Sequence, residues 1–237
     1  MICTSDETVS TNPPRWEKML RRPKLGPELD LVQSFFNEDG IPSAPEGQEI
    51  TVFFEPKIDS GFPDLVAVYW DKNTLESWPE ERLSLTRSDV RLAQYLYVIG
   101  HCDRQFMVDQ FGRSVCLSLE RLVNAGMVGE KEDTFALQPI EEIFAIRRLI
   151  ALEAKMADWQ EGLIQAVQNT WFASESYLLL PSMPKSKQLS AQASTLGIGL
   201  VTLDIPVDYC EPLARREMLP QSHGCWIFNE WLMRIHR

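Results

Sequence analysis

Asp64, Glu153 and Lys155 are the residues of this chain whose types and surroundings suit them to joint chemistry. Asp64 closes the turn-like segment Gly61-Phe62-Pro63-Asp64 and opens an apolar run that ends at Asp71. Glu153-Ala154-Lys155 ends a second apolar run, IRRLIALEAK. In a β-strand residues i and i+2 share a face. Glu153 and Lys155 therefore project together, while Ala154 turns into the core. If the two strands lie side by side, Asp64 joins them. Two carboxylates can share a divalent cation, because hydrated Mg²⁺ takes one or two carboxylates together with water and phosphate oxygens. A cation held there would polarise a scissile phosphate and acidify an attacking water. Lys155 would orient that water or offset developing charge.

The elements that must position these residues follow from periodicity. GPELDLVQSFFNEDG predicts a helix, with Pro27 in the first turn, an apolar stripe including Leu31 and Phe35, and Gly40 at the stop. Residues 50–57 and 64–71 are β-branched and aromatic, and Ser60-Gly61 between them is turn chemistry, so they predict a hairpin. DKNTLESWPEERLS reads as a polar linker. Helical periodicity then covers 88–100, 104–111 and 114–125, followed by a short hairpin in MVGEKEDTFAL. Three helices and a hairpin in this order resemble a winged helix-turn-helix. After Pro139 come a short helix at Glu141-Glu142, the strand ending in Glu153-Ala154-Lys155, and the amphipathic helix DWQEGLIQAVQNTWFAS. Strand SYLLLP, helix KQLSAQASTLG and strand IGLVTLD complete the series. That alternation predicts parallel βαβ units with right-handed crossovers. The tail, 205–237, predicts a packing helix after Pro220.

The pairing of Gly-x-Pro-Asp before one strand with Glu-x-Lys at the end of another, followed by an amphipathic helix and βαβ, resembles the PD-(D/E)xK nuclease superfamily. The resemblance covers roughly residues 26–71 and 145–204. It implies an α/β fold, a restriction-endonuclease-like mixed sheet flanked by helices, with Asp64 and Glu153 as metal ligands and Lys155 as the catalytic lysine. It adds Glu28 from the first helix as a further acid and Gln165 on the helix after the Glu-x-Lys strand. The tyrosine that some branches place four residues after that glutamine is absent, because position 169 is Asn. The implied cofactor is Mg²⁺, with Mn²⁺ as a substitute. The implied layout is a disordered 1–14, a nuclease-like core of 15–84 and 138–237, and a winged-helix insertion at 85–137. A winged helix also accompanies this core in transposase endonuclease subunits of Tn7 type. The expected activity is that of a DNA endonuclease subunit acting with a protein partner, in a mobile-element or phage-defence context, with RNA as the other substrate. The alternatives are an inactive nuclease-fold adaptor and a winged-helix regulator.

Charge constrains which surface meets a nucleic acid. The chain carries a net charge of −11, which repels a polyanion at long range. Within 87–137, six Lys and Arg stand against seven Asp and Glu, and the wing Gly129-Glu130-Lys131-Glu132-Asp133 is acidic. A DNA-reading module usually carries a basic stripe, so this module is expected to contact protein or to mediate a homodimer. The phosphate-contacting candidates are Arg15, Lys18, Arg21, Arg22 and Lys24, opposed only by Glu17. Glu55 lies one strand from Asp64 and could reach the site, although a hairpin carboxylate is more often simply exposed. His101, His223 and His236 have no ligand spacing. Five scattered cysteines, with no Cys-x-x-Cys pair, favour a reducing compartment over a disulfide framework. With no apolar leader and no apolar run of about 20 residues, the expectation is a cytoplasmic protein without a membrane partner.

Overall fold

The computed structural model describes residues 2–4, 20–183 and 187–237. The chain divides into two compact units: Met1–Trp70 with Arg147–Gln221, and Asp71–Ile146 with Ser222–Arg237. The first unit begins with β1 (Ile2–Thr4), α1 (Pro27–Asn37), β2 (Gln48–Phe54) and β3 (Leu65–Asp71). The second then builds α2 (Lys72–Glu76), a 3₁₀ turn (Glu80–Ser84), α3 (Arg87–Ile99), β4 (His101–Asp103) and α4 (Arg104–Phe111). It continues through α5 (Val115–Asn124), β5 (Val128–Lys131), β6 (Thr134–Leu137) and α6 (Ile140–Ile143). The chain returns to the first unit with β7 (Ile146–Ala154), α7 (Trp159–Asn169), β8 (Glu175–Leu179), α8 (Lys187–Leu196) and β9 (Gly199–Val201), and ends in α9 (His223–His236) of the second.

The first unit is an α/β layer structure around a six-stranded mixed sheet of order β1-β2-β3-β7-β8-β9. β1 runs antiparallel to β2, while β7, β8 and β9 are parallel, joined by the α7 and α8 crossovers. Strand periodicity divides the side chains between two cores. Ile150, Leu152 and Ala154 of β7 pack with Leu31, Val32 and Phe35 of α1 on one face. Leu178 and Leu200 meet Leu163 and Ala166 of α7 and Leu189 and Ala193 of α8 on the other. β3 is buried at every residue from Leu65 to Trp70, the all-apolar character of an interior strand.

The second unit runs helix, strand, helix, helix, hairpin. The three-stranded sheet has order β4-β6-β5, and β4 pairs antiparallel with the outer side of the β5–β6 hairpin. Thr86 and Asp89 form a reciprocal capping box at the start of α3. Among the described residues no helix is long and apolar enough to cross a membrane.

Several elements depart from the sequence expectation. The segment read as a polar linker is folded: Asp71 caps α2 by accepting from the Thr74 amide at 2.8 Å, and Leu75, Trp78 and Arg82 are buried. Arg82 stacks 3.5 Å from the centre of the Trp78 ring and pairs with Glu230, so a residue that composition assigns to the surface serves as core. Ile2–Thr4, expected to lack structure, forms an edge strand, because main-chain pairing with β2 needs no apolar side-chain pattern. α9 belongs with 71–146 rather than with the sheet. It is held there by the Arg82–Glu230 pair, by Asn229 accepting from the Ala145 amide at 2.9 Å, and by Trp226 donating to Gln94 at 2.9 Å.

Candidate active site

Asp64, Glu153, Lys155, Glu28 and Gln165 line one cavity of about 340 Å³ in the first unit, together with Arg21, Lys24, Glu55 and Phe62. Each is delivered by a local rule. A tight turn at Ile58 and Gly61, with reciprocal main-chain hydrogen bonds of 3.0 and 3.2 Å, brings the chain to Asp64 at the head of β3. The Asp64 carboxylate accepts from the Ala154 amide at 2.7 Å and is thereby fixed to the end of β7. Ala154 faces the α1 core, so Glu153 and Lys155 emerge on the opposite face, as strand alternation requires. Glu153 is 6% exposed, and its carboxyl lies near enough to that of Asp64 for the two to act on each other electrostatically. Lys155 Nζ stands 3.9 Å from Glu28 of α1 and 4.0 Å from Glu161 of α7.

The electrostatics of the pair are those of like charges held together out of water. Burial raises the Asp64 carboxyl to a higher pKa than an ordinary aspartate; the Ala154 amide and Lys155 oppose this, while Glu28 and Glu55 add to it. Burial also raises Glu153, with the Asp64 charge as the next contribution, and the Asn169 amide and Lys155 pull the other way. Two carboxyls in contact cannot both ionise easily without a cation between them.

Two residues with no site role assigned from sequence, Gly162 and Asn169, help to build this site, and Glu55 joins them at the cavity wall. Gly162 lies inside α7, where glycine costs about 1 kcal/mol relative to alanine. A Cβ there would come within 2.6 Å of both Lys155 Cγ and Leu178 Cδ1. The missing side chain is what lets the Lys155 stem pass under the helix, and a glycine within a helical pattern was the available signal. Asn169, noted only for not being tyrosine, donates to Glu153 Oε1 at 2.7 Å. Glu55, expected to be exposed, is 5% exposed, with its backbone in the left-handed region at φ 47°. Its carboxylate pairs with Arg21 and accepts from the Lys24 amide at 3.2 Å.

That ion pair bears on the basic stretch. Arg21 lies against Glu55 and 4.6 Å from the Phe62 ring centre, and it lines the cavity with Lys24. Arg22 is exposed and is not among the lining residues. Arg15 and Lys18 lie outside the described residues.

The donor set fits a hydrated hard cation. Among the described residues no three His, Cys, Asp or Glu side chains group so as to hold a metal ion. The cavity instead offers two neighbouring carboxylates, the protein share that Mg²⁺ ordinarily takes. Among the described residues Gln165 Oε1 is buried without a hydrogen-bond partner, a free acceptor on a residue that lines the cavity. Comparison with protein-family models, with curated proteins and with solved structures finds no match to this chain.

Proposed function

We propose that the chain is a metal-dependent nuclease of the PD-(D/E)xK type, with a restriction-endonuclease-like core and a winged-helix module between the two halves of that core. The observation that carries this reading is the pair of interacting carboxyls, half-buried Asp64 and buried Glu153, delivered to one cavity from the ends of two strands with Lys155 beside them. A Mg²⁺ or Mn²⁺ ion held by the pair would polarise a phosphodiester and supply a water acidic enough to attack it. Lys155 offsets the charge that builds on the phosphoryl oxygens, and Glu28 keeps its ammonium group oriented. Gln165 Oε1 accepts a hydrogen bond from the attacking water. Lys24 lies at the cavity wall to meet the flanking phosphate, and Arg21 joins it by leaving Glu55. DNA is the favoured substrate.

The second unit supports a protein-contact role beside the nuclease. Its order of elements, and the pairing of β4 with the hairpin, fit a winged helix. Arg121 on α5, the helix that would read DNA, is tied to buried Asp89 by bonds of 2.7 and 2.8 Å. Arg104 is held by Asp133 and Glu130 at 2.6 and 2.7 Å. Meanwhile Val98 is 71% and Leu117 59% exposed. Cations already spent on internal pairs and apolar side chains left in water suit a protein surface better than a phosphate backbone.

Incubation with supercoiled DNA and, separately, with single-stranded RNA, with Mg²⁺ or EDTA, tests the assignment. Cation-dependent cleavage that Asp64→Ala and Lys155→Ala both abolish, with the variants still folded, is the expected result. Cleavage unchanged in both would remove it, and an absence of cleavage with retained partner binding would favour the inactive adaptor.

A further inference from the structure

Asn169 is the last residue of α7, and its side chain is 3% exposed. A buried primary amide is unfavourable unless its hydrogen bonds are made. It is not needed to finish the helix: the Asn169 main-chain carbonyl already accepts from the amides of Phe172 and Ala173, at 3.2 and 2.9 Å. Among the described residues the side-chain amide donates to one group, Glu153 Oε1, at 2.7 Å. An apolar residue would fill the same space without desolvating a polar group, so the amide is in place for its acceptor.

We infer that Asn169 is a positioning residue that sets the orientation of the Glu153 carboxylate for cation binding, an inference that rests on the metal-site reading above. With Oε1 engaged by Asn169, rotation of the carboxylate is restricted and Oε2 is the oxygen left for a cation shared with Asp64. The donor is neutral. An Arg or Lys at this position would hold Glu153 equally well but would cancel its charge and compete with the cation. An amide fixes direction and leaves the charge available. This is the outer-shell role in which a hydrogen bond to a ligating carboxylate governs affinity without touching the metal.

Titration of free Mn²⁺ by electron paramagnetic resonance tests the inference on the full chain. Asn169→Leu removes the donor at nearly constant size and is expected to weaken Mn²⁺ binding about 10- to 100-fold while thermal unfolding stays cooperative. Asn169→Gln keeps a donor and is expected to recover part of the affinity, which a purely packing role would not produce. Asn169→Ala carries the same expectation as the Leu variant if that one fails to fold. If the wild-type chain binds Mn²⁺ and the folded Leu or Ala variant binds it equally, the inference is overturned and the metal site stands. If the wild-type chain binds no Mn²⁺, the metal reading falls and the inference with it.

Discussion

Glu153 and Glu175 are both buried glutamates on the neighbouring strands β7 and β8, 6% and 5% exposed, and they have opposite surroundings. Glu175 accepts two bonds from Arg148, at 2.8 and 2.7 Å, and one from the Tyr177 hydroxyl at 2.7 Å. Although burial works against it, these partners hold the Glu175 carboxyl below the ordinary glutamate range. Glu153 meets a second carboxyl and a neutral amide, and its pKa is driven up. Desolvation acts on both; the difference lies in what each was given in exchange for water. Glu175 is neutralised, as a structural buried acid must be. Glu153 is held in place without a paired cation, so burial and Asp64 keep it protonated above the ordinary carboxylate range, the perturbation that marks a candidate functional acid.

The largest effect that would break this contrast is on chemistry. Glu153→Gln is expected to lower cleavage by about a thousandfold or more, on the scale of losing a central electrostatic group. Its unfolding free energy in urea should not fall. Glu175→Gln should leave the cavity chemistry in place and lose stability instead.

The next largest effect is on folding. Arg148→Met takes from buried Glu175 its two-bond partner, leaves Arg216 at 3.5 Å as its remaining cation among the described residues, and is expected to cost about 3 kcal/mol in urea unfolding. A loss as large from Lys155→Met would show that the two clusters are alike.

A smaller effect comes from Gly162. A methyl group there displaces the stem of Lys155, and Gly162→Ala should reduce cleavage by up to about a hundredfold, as an ångström-scale misplacement can. Binding of supercoiled DNA, measured separately, should be nearly unchanged.

The smallest effect is on pH dependence, and its sign differs between the two residues. The raised pKa values of Asp64 and Glu153 mean that the folded chain keeps protons the unfolded chain has released. Their contribution is full below the ordinary carboxylate range, near pH 4, and is lost as pH rises through the raised values. Glu175, lowered, contributes above that range and is lost as pH falls. Thermal unfolding should therefore show Glu153→Gln gaining on wild type as pH rises from about 4 to 8, and the deficit of Glu175→Gln full above about pH 5 and shrinking as pH falls below it.

The parts legible in the sequence are those with short periods. Alternation along β7 puts Glu153 and Lys155 on one face, the turn at Gly61 opens β3, and the 3.6-residue pattern marks α1 and α7. The illegible parts depend on partners distant in the chain. Glu55 is buried because Arg21 and the Lys24 amide reach it from a segment with no strand pattern of its own. Arg82 is core because Glu230 and Trp78 surround its guanidinium, a pairing that polar composition cannot reveal. Asn169 departs from the tyrosine of the motif it resembles, and the acceptor that explains it, Glu153, lies 16 residues away in the chain. Gly162 is legible on the same grounds as the short-period elements: a glycine inside an amphipathic helix indicates close approach, here by Lys155.

The central claim is that Asp64 and Glu153 together hold one divalent cation. Isothermal titration calorimetry with Mn²⁺, run near pH 6 and pH 8 in buffers of different ionisation enthalpy, tests it most directly. The account predicts one ion per chain, tighter binding at the higher pH, release of protons on binding, and loss of the signal in both Asp64→Asn and Glu153→Gln. Binding that survives in either folded variant, or no binding by the wild-type chain at pH 8, would contradict it.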